Sequence, residues 1–73
     1  MRVNKFPFQV EIYECGGCRI DGVWYKPSTV RYHAKKYIKL AQELGKFFVF
    51  TKMADTSHET ALRVSRYFMT REG

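Results

Sequence analysis

The chain has 73 residues, 45% of them hydrophobic and 16% aromatic, with 13 Lys and Arg against 7 Asp and Glu, a net charge of +6 and a pI near 9.6. A chain of this length buries only roughly 60% of the surface its unfolded form exposes; that leaves room for a single small basic domain over residues 1–73 and excludes multidomain enzymes, repeat arrays and membrane channels. So large a cationic excess on so small a body favours anionic partners, either nucleic acid or an acidic protein surface.

Along the first stretch, Phe6, Phe8, Val10 and Ile12 alternate with Gln9 and Glu11, the period of two that marks a half-buried strand. Pro7 donates no main-chain hydrogen bond, which places the start of that strand at a sheet edge. Cys15-Gly16-Gly17-Cys18 and Asp21-Gly22 are two successive turn signals, and Val23-Trp24-Tyr25 reads as the returning strand of a hairpin that either turn could close. Pro27-Ser28-Thr29 then opens a helix with Ser28 as its N-cap. Val30, Ala34, Tyr37, Ile38, Ala41 and Leu44 recur at three- and four-residue spacing as the apolar stripe of that helix, and Gly45 is placed to end it in a left-handed cap.

Phe47 to Thr51 is an aromatic and β-branched run, expected as a well-buried third strand. Thr56 and Glu59 have capping-box spacing, with Ser57 an alternative cap, ahead of a second helix whose inner side holds Ala61, Leu62, Val64, Ser65, Phe68 and Met69. The expected fold is therefore α+β, a small three-stranded sheet with two helices in the order ββαβα, since each amphipathic face then has a partner. Phe8, Phe48, Phe50 and Phe68 fall at inward positions, and truncation of Phe50 to Ala is expected to cost ~3–5 kcal/mol. Phe6, Tyr13, Trp24 and Tyr32 are left as candidates for an exposed aromatic patch.

Three groups of residues could carry function. Cys15 and Cys18, two residues apart at a glycine turn, match half of a tetrahedral zinc site. His33 and His58 are the only histidines, and they lie too far apart in sequence for finger spacing. A redox pair would want the first cysteine at a helix N-terminus, so the plainer reading is a glycine hairpin flanked by two small thiols, and no cofactor is expected beyond that one possible zinc ion. Arg31, Lys35 and Lys39 form a ridge at four-residue spacing, with Lys36 and Tyr32 beside them, opposite the apolar stripe. Arg63 and Arg66 hold the outer side of the second helix, and Arg71 and Tyr67 lie near its end. Arginine beside tyrosine suits phosphate contact, base stacking or a protein hot spot; an ordinary solvated face is the alternative. Catalysis is not expected: no nucleophile elbow, no P-loop and no carboxylate pair at helical spacing facing a cleft is present. The sequence has neither a signal-peptide core nor an apolar stretch of membrane-spanning length, which leads to the expectation of a cytoplasmic protein without a membrane partner.

Taken as a whole, MRVNKFPFQVEIYECGGCRIDGVWYKPSTVRYHAKKYIKL followed by the aromatic strand and basic helix resembles the small bacteriophage-encoded regulators that bind host bacterial RNA polymerase. The resemblance runs over the full length and rests on size, charge and overall likeness. It implies a transcription regulator of the host cytoplasm that binds the RNA polymerase core, including the N-terminal region of the β′ subunit, inhibits initiation by disfavouring the σ factor, and suppresses intrinsic termination. A monomer lying near the exit channel, against nascent RNA, would do this without any chemistry. Under that reading the extended segment with Val3, Lys5, Phe6 and Phe8 around Pro7 is the expected anchor, with Arg31, Lys35, Lys39, Arg63 and Arg66 as further contacts. The alternative is a direct DNA- or RNA-binding regulator, and a Cys-Gly-Gly-Cys loop stabilised by zinc is compatible with either.

Overall fold

The computed structural model describes residues 7–69. Strands β1 (Phe8–Ile12), β2 (Cys18–Ile20) and β3 (Val23–Tyr25) come first, followed by helix α1 (Val30–Leu44), strand β4 (Phe48–Lys52) and helix α2 (His58–Tyr67). The α+β class is as expected, but the sheet has four strands in the order β3-β2-β1-β4. The added strand is β2, only three residues long, and both turn signals are used. The loop through Gly16 joins β1 to β2, and Tyr13 and Gly17 are hydrogen-bonded across its base at 3.0 Å. Asp21 and Gly22, with φ of 51° and 87°, join β2 to β3; positive φ at both central residues is what a type I′ hairpin turn requires. Asp21 also ties that turn back to β1, its Oδ1 accepting from the Gln9 amide and its own amide donating to the Gln9 carbonyl, each at 2.9 Å.

β1 and β2 run antiparallel with Val10 opposite Ile20, and β1 and β4 run parallel with Val10 opposite Phe50. Two edge expectations are thereby reversed. β1 lies inside the sheet, because Pro7 stands one residue ahead of the ladder and costs it no donor, and Phe8 already donates to the Phe47 carbonyl at 2.9 Å. β4 is an edge strand and not a well-buried one: its pattern of half-buried Phe48 and Phe50 alternating with exposed Val49 and Thr51 shows one face against the helices and one open.

Both helices cover the same face of the sheet. Val10, Ile12, Cys18 and Ile20 meet Val30 and Ala34 of α1 and Val64 and Phe68 of the α2 region in one core cluster. Phe8 and Phe48 join its edge, with Phe8 edge-on to Tyr37 and Phe68 edge-on to both Phe48 and Phe50. The stripe of α1 is narrower than its periodicity suggests: Val30, Ala34 and Ala41 are buried, whereas Leu44 is exposed past the sheet. Leu62 and Met69 are likewise exposed, and Thr60 takes the inward position on α2. Thr29, not Ser28, is the N-cap of α1, without a side-chain cap bond, while Gly45 closes the helix at φ 70° as expected. Ser57, the alternative cap, starts α2 by accepting from the Thr60 amide at 3.2 Å. Thr56 is committed elsewhere: its buried hydroxyl donates to the Ile12 carbonyl at 2.9 Å, so no capping box forms. Among the described residues no helix is long and apolar enough to cross a membrane.

Candidate interaction surface

Because β-strand side chains alternate between faces, the register decides which surface is charged. The face away from the helices carries Gln9 and Glu11 of β1, Arg19 of β2, Trp24 of β3 and Val49 and Thr51 of β4. Arg19 and Glu11 form a salt bridge of 3.7 Å there, the one ion pair among the described residues, so this face is close to neutral. Trp24 lies edge-on to Tyr13 with ring centroids 5.3 Å apart, so two of the aromatic candidates meet. Tyr32 is elsewhere, on α1.

The helix layer differs sharply in charge. α1 and α2 carry Arg31, Lys35, Lys36, Lys39, Arg63 and Arg66 against only Glu43 and Glu59, and all six basic side chains are exposed. The Arg31 guanidinium sits over the Tyr67 ring at 5.6 Å and bridges the two helices. Arg63, one turn before Tyr67, reaches the β1–β2 loop, where its guanidinium comes within 3.9 Å of the position a Cβ on Gly16 would occupy. Lys35 and Lys39 continue the line along α1, and Lys36 lies over the Tyr32 ring at 5.1 Å. Arg66 falls on the outer flank of α2, sharing a shallow depression with Glu59, Leu62 and Arg63. Arg31, Lys35, Lys39, Arg63 and Arg66 thus belong to one layer, with Arg31, Arg63 and Tyr67 grouped at its seam.

The other candidates separate. Phe8 is buried at 4% exposure, against Tyr37 and Phe48 with the Lys46 ammonium 4.5 Å above its ring. As a buried residue at the start of a central strand it is core and offers no exposed anchor. Val3, Lys5, Phe6 and Arg71 lie outside the described residues.

The cysteines part in the same way: Cys15 is exposed in the loop and Cys18 faces the core. Burial pushes the Cys18 thiol up to about 11, the opposite of what a thiolate ligand or redox thiol needs. Among the described residues no three His, Cys, Asp or Glu side chains converge as metal ligands. Tyr37 is pushed up to about 12 by burial and by its 3.0 Å hydrogen bond with the Tyr25 hydroxyl. That pair is a structural clasp between α1 and β3.

One important residue escaped the sequence reading. Glu14, in the β1–β2 loop, accepts from the Ser57 amide at 2.7 Å and from the Thr60 hydroxyl at 3.4 Å, a carboxylate cap for α2 supplied from far away in the chain. The Ser57 amide holds its pKa below the ordinary value, and Arg63 adds to that effect. A carboxylate at a helix N-terminus is favoured by the orphan amides and the macrodipole, but nothing within a few residues of Glu14 signals the pairing. No family model matches the chain, and neither a curated protein nor a solved structure matches it.

Proposed function

We propose that the protein is a transcription regulator that attaches through its helix layer to host bacterial RNA polymerase, inhibiting initiation and suppressing intrinsic termination. The observation that carries this reading is the six-to-two excess of basic side chains on one face of the molecule, with the one described ion pair on the opposite face. Such a layer is complementary to an acidic protein surface and to the phosphates of an emerging transcript. The full-length resemblance supports the β′ N-terminal region, near the RNA exit channel, as the place of attachment. A body held there obstructs a terminator hairpin by bulk and charge, and no bond is made or broken.

A direct nucleic-acid reading is favoured by one feature, the pairing of Arg31 with Tyr67 and of Lys36 with Tyr32, since cation and ring together suit phosphate contact and base stacking. Gel filtration with purified core polymerase, beside mobility shifts on duplex DNA and on RNA over a salt series, separates the two. Co-elution with polymerase and no shift of nucleic acid at moderate salt is the expected result; tight duplex binding with no polymerase contact would refute it. The charge-reversed triple variant Arg31→Glu, Lys35→Glu, Lys39→Glu is expected to keep the wild-type circular dichroism and lose co-elution. Normal co-elution by that variant removes α1 from the surface.

A further inference from the structure

Among the described residues, β4 has β1 on one side and no strand on the other. The Phe47 carbonyl accepts from Phe8 and the Met53 amide donates to Ile12, so the odd-numbered residues of β4 turn their main chain toward β1. By the alternation of the ladder, the N–H and C=O groups of Phe48, Phe50 and Lys52 point outward from the sheet. Beside this edge runs a groove of about 290 Å³ formed by Phe50 and Lys52 with His58, Ala61, Leu62 and Ser65. Those α2 residues recur at three- and four-residue spacing on the flank opposite the one that carries Arg63 and Tyr67 to the seam. Leu62, 45% exposed, stands in the groove wall and not in the core where its periodicity would put it.

A free strand edge next to an apolar trough is the geometry of strand addition, in which main-chain bonds give affinity and alternate side chains enter the trough. At about 290 Å³ the groove lies at the lower limit of the ~300–1,000 Å³ typical of small-molecule sites. The polar groups of the groove include Lys52 and His58 but no carboxylate. The Lys52 ammonium is held at that end by a 3.0 Å bond to the Thr56 carbonyl, which leaves it further donors. A second copy of this chain would bring another +6 body to the same place, so charge favours an acidic occupant over self-pairing.

We propose that the β4 edge and its groove accept an extended acidic segment of a partner protein by strand addition, aliphatic side chains entering the groove against Leu62 and a carboxylate meeting Lys52. This contact uses the flank of α2 that faces away from the Arg31, Arg63 and Tyr67 seam, although Leu62 also borders the depression that holds Arg63 and Arg66.

The test titrates isotope-labelled protein with the acetylated, amidated peptide Asp-Val-Glu-Val-Asp-Val and with its counterpart in which Lys replaces every acid. The acidic peptide is expected to shift the amides of Phe48, Phe50 and Lys52 and the methyls of Leu62, and the basic one to bind at least tenfold more weakly. Leu62→Asp, at an exposed position, is expected to keep the fold and weaken the acidic peptide at least tenfold. The triple reversal on α1 is expected to leave peptide affinity within twofold, which separates this site from the α1 part of the polymerase-binding surface. No shift at millimolar peptide, shifts confined to α1, or β4 shifts that grow with protein concentration alone would each overturn the proposal.

Discussion

Replacing Thr56 with Val removes one buried hydroxyl while keeping the shape of the side chain, and it isolates the bond by which the β4–α2 loop is fastened to the sheet. Thr56 is 3% exposed and its hydroxyl donates to the Ile12 carbonyl at 2.9 Å. That carbonyl also accepts from the Met53 amide at 3.1 Å, so in the variant it remains satisfied. The expected loss is therefore the net value of one hydrogen bond, ~1 kcal/mol, and not the ~1–3 kcal/mol that follows when a buried partner is orphaned. For a domain of this size ~1 kcal/mol lowers Tm by about 4–8 °C, and urea unfolding should show a lower midpoint at unchanged slope. Amide exchange supplies the internal check, since the Met53 N–H keeps its acceptor and should stay protected relative to global unfolding. An unchanged Tm would mean the bond contributes nothing to holding α2. A loss above ~3 kcal/mol, or a deprotected Met53 amide, would mean that the two donors do not act independently on Ile12.

Phe68→Ala should cost ~3–5 kcal/mol, a large part of the ~4–11 kcal/mol available to a 73-residue domain, and leave the protein mostly unfolded on mild heating. Phe50→Ala, at a half-buried edge position, should cost clearly less than the sequence alone suggests, and a calorimetric ranking that puts Phe50 above Phe68 would contradict the burial argument. Glu14 has a folded-state pKa below its ordinary value of 4.5, so its contribution is present above the unfolded pKa and is lost as pH falls through the folded one. The Tm difference between the wild type and Glu14→Gln should accordingly be largest near pH 7 and shrink below pH 4.5; a difference that is constant down to pH 3 (roughly one unit below the carboxylate range) would show that the charge on Glu14 does not cap α2. A Cβ added at Gly17 would lie 2.6 Å from the Trp24 ring and 3.0 Å from the Tyr25 carbonyl. Gly17→Ala should therefore destabilise by ~1–3 kcal/mol, as overpacking does, and change the Trp24 emission; an unaltered spectrum with unaltered stability would refute the close approach.

Whatever depends on neighbours in the chain was legible before the fold was known. The alternation of Phe8, Val10 and Ile12 with Gln9 and Glu11 assigns the faces of β1, because side-chain direction in a strand has a period of two whatever lies beside it. The spacing of Val30, Ala34 and Ala41, with Gly45 behind them, defines α1 and its end, and the same geometry sends Arg31, Lys35 and Lys39 outward. What depends on which segment lies next to which was not legible. β2 is too short to show a pattern and exists because Val10, Glu11 and Ile12 offer it a ladder. β4 is an edge strand, and Leu62 a surface residue, because β1 pairs with β4 in parallel at the limit of the sheet and α2 ends its cover there. Glu14 caps a helix 43 residues away, a partnership between segments that no local spacing encodes. Periodicity assigns a side chain to a face; only the packed tertiary arrangement decides whether that face is covered, and by what.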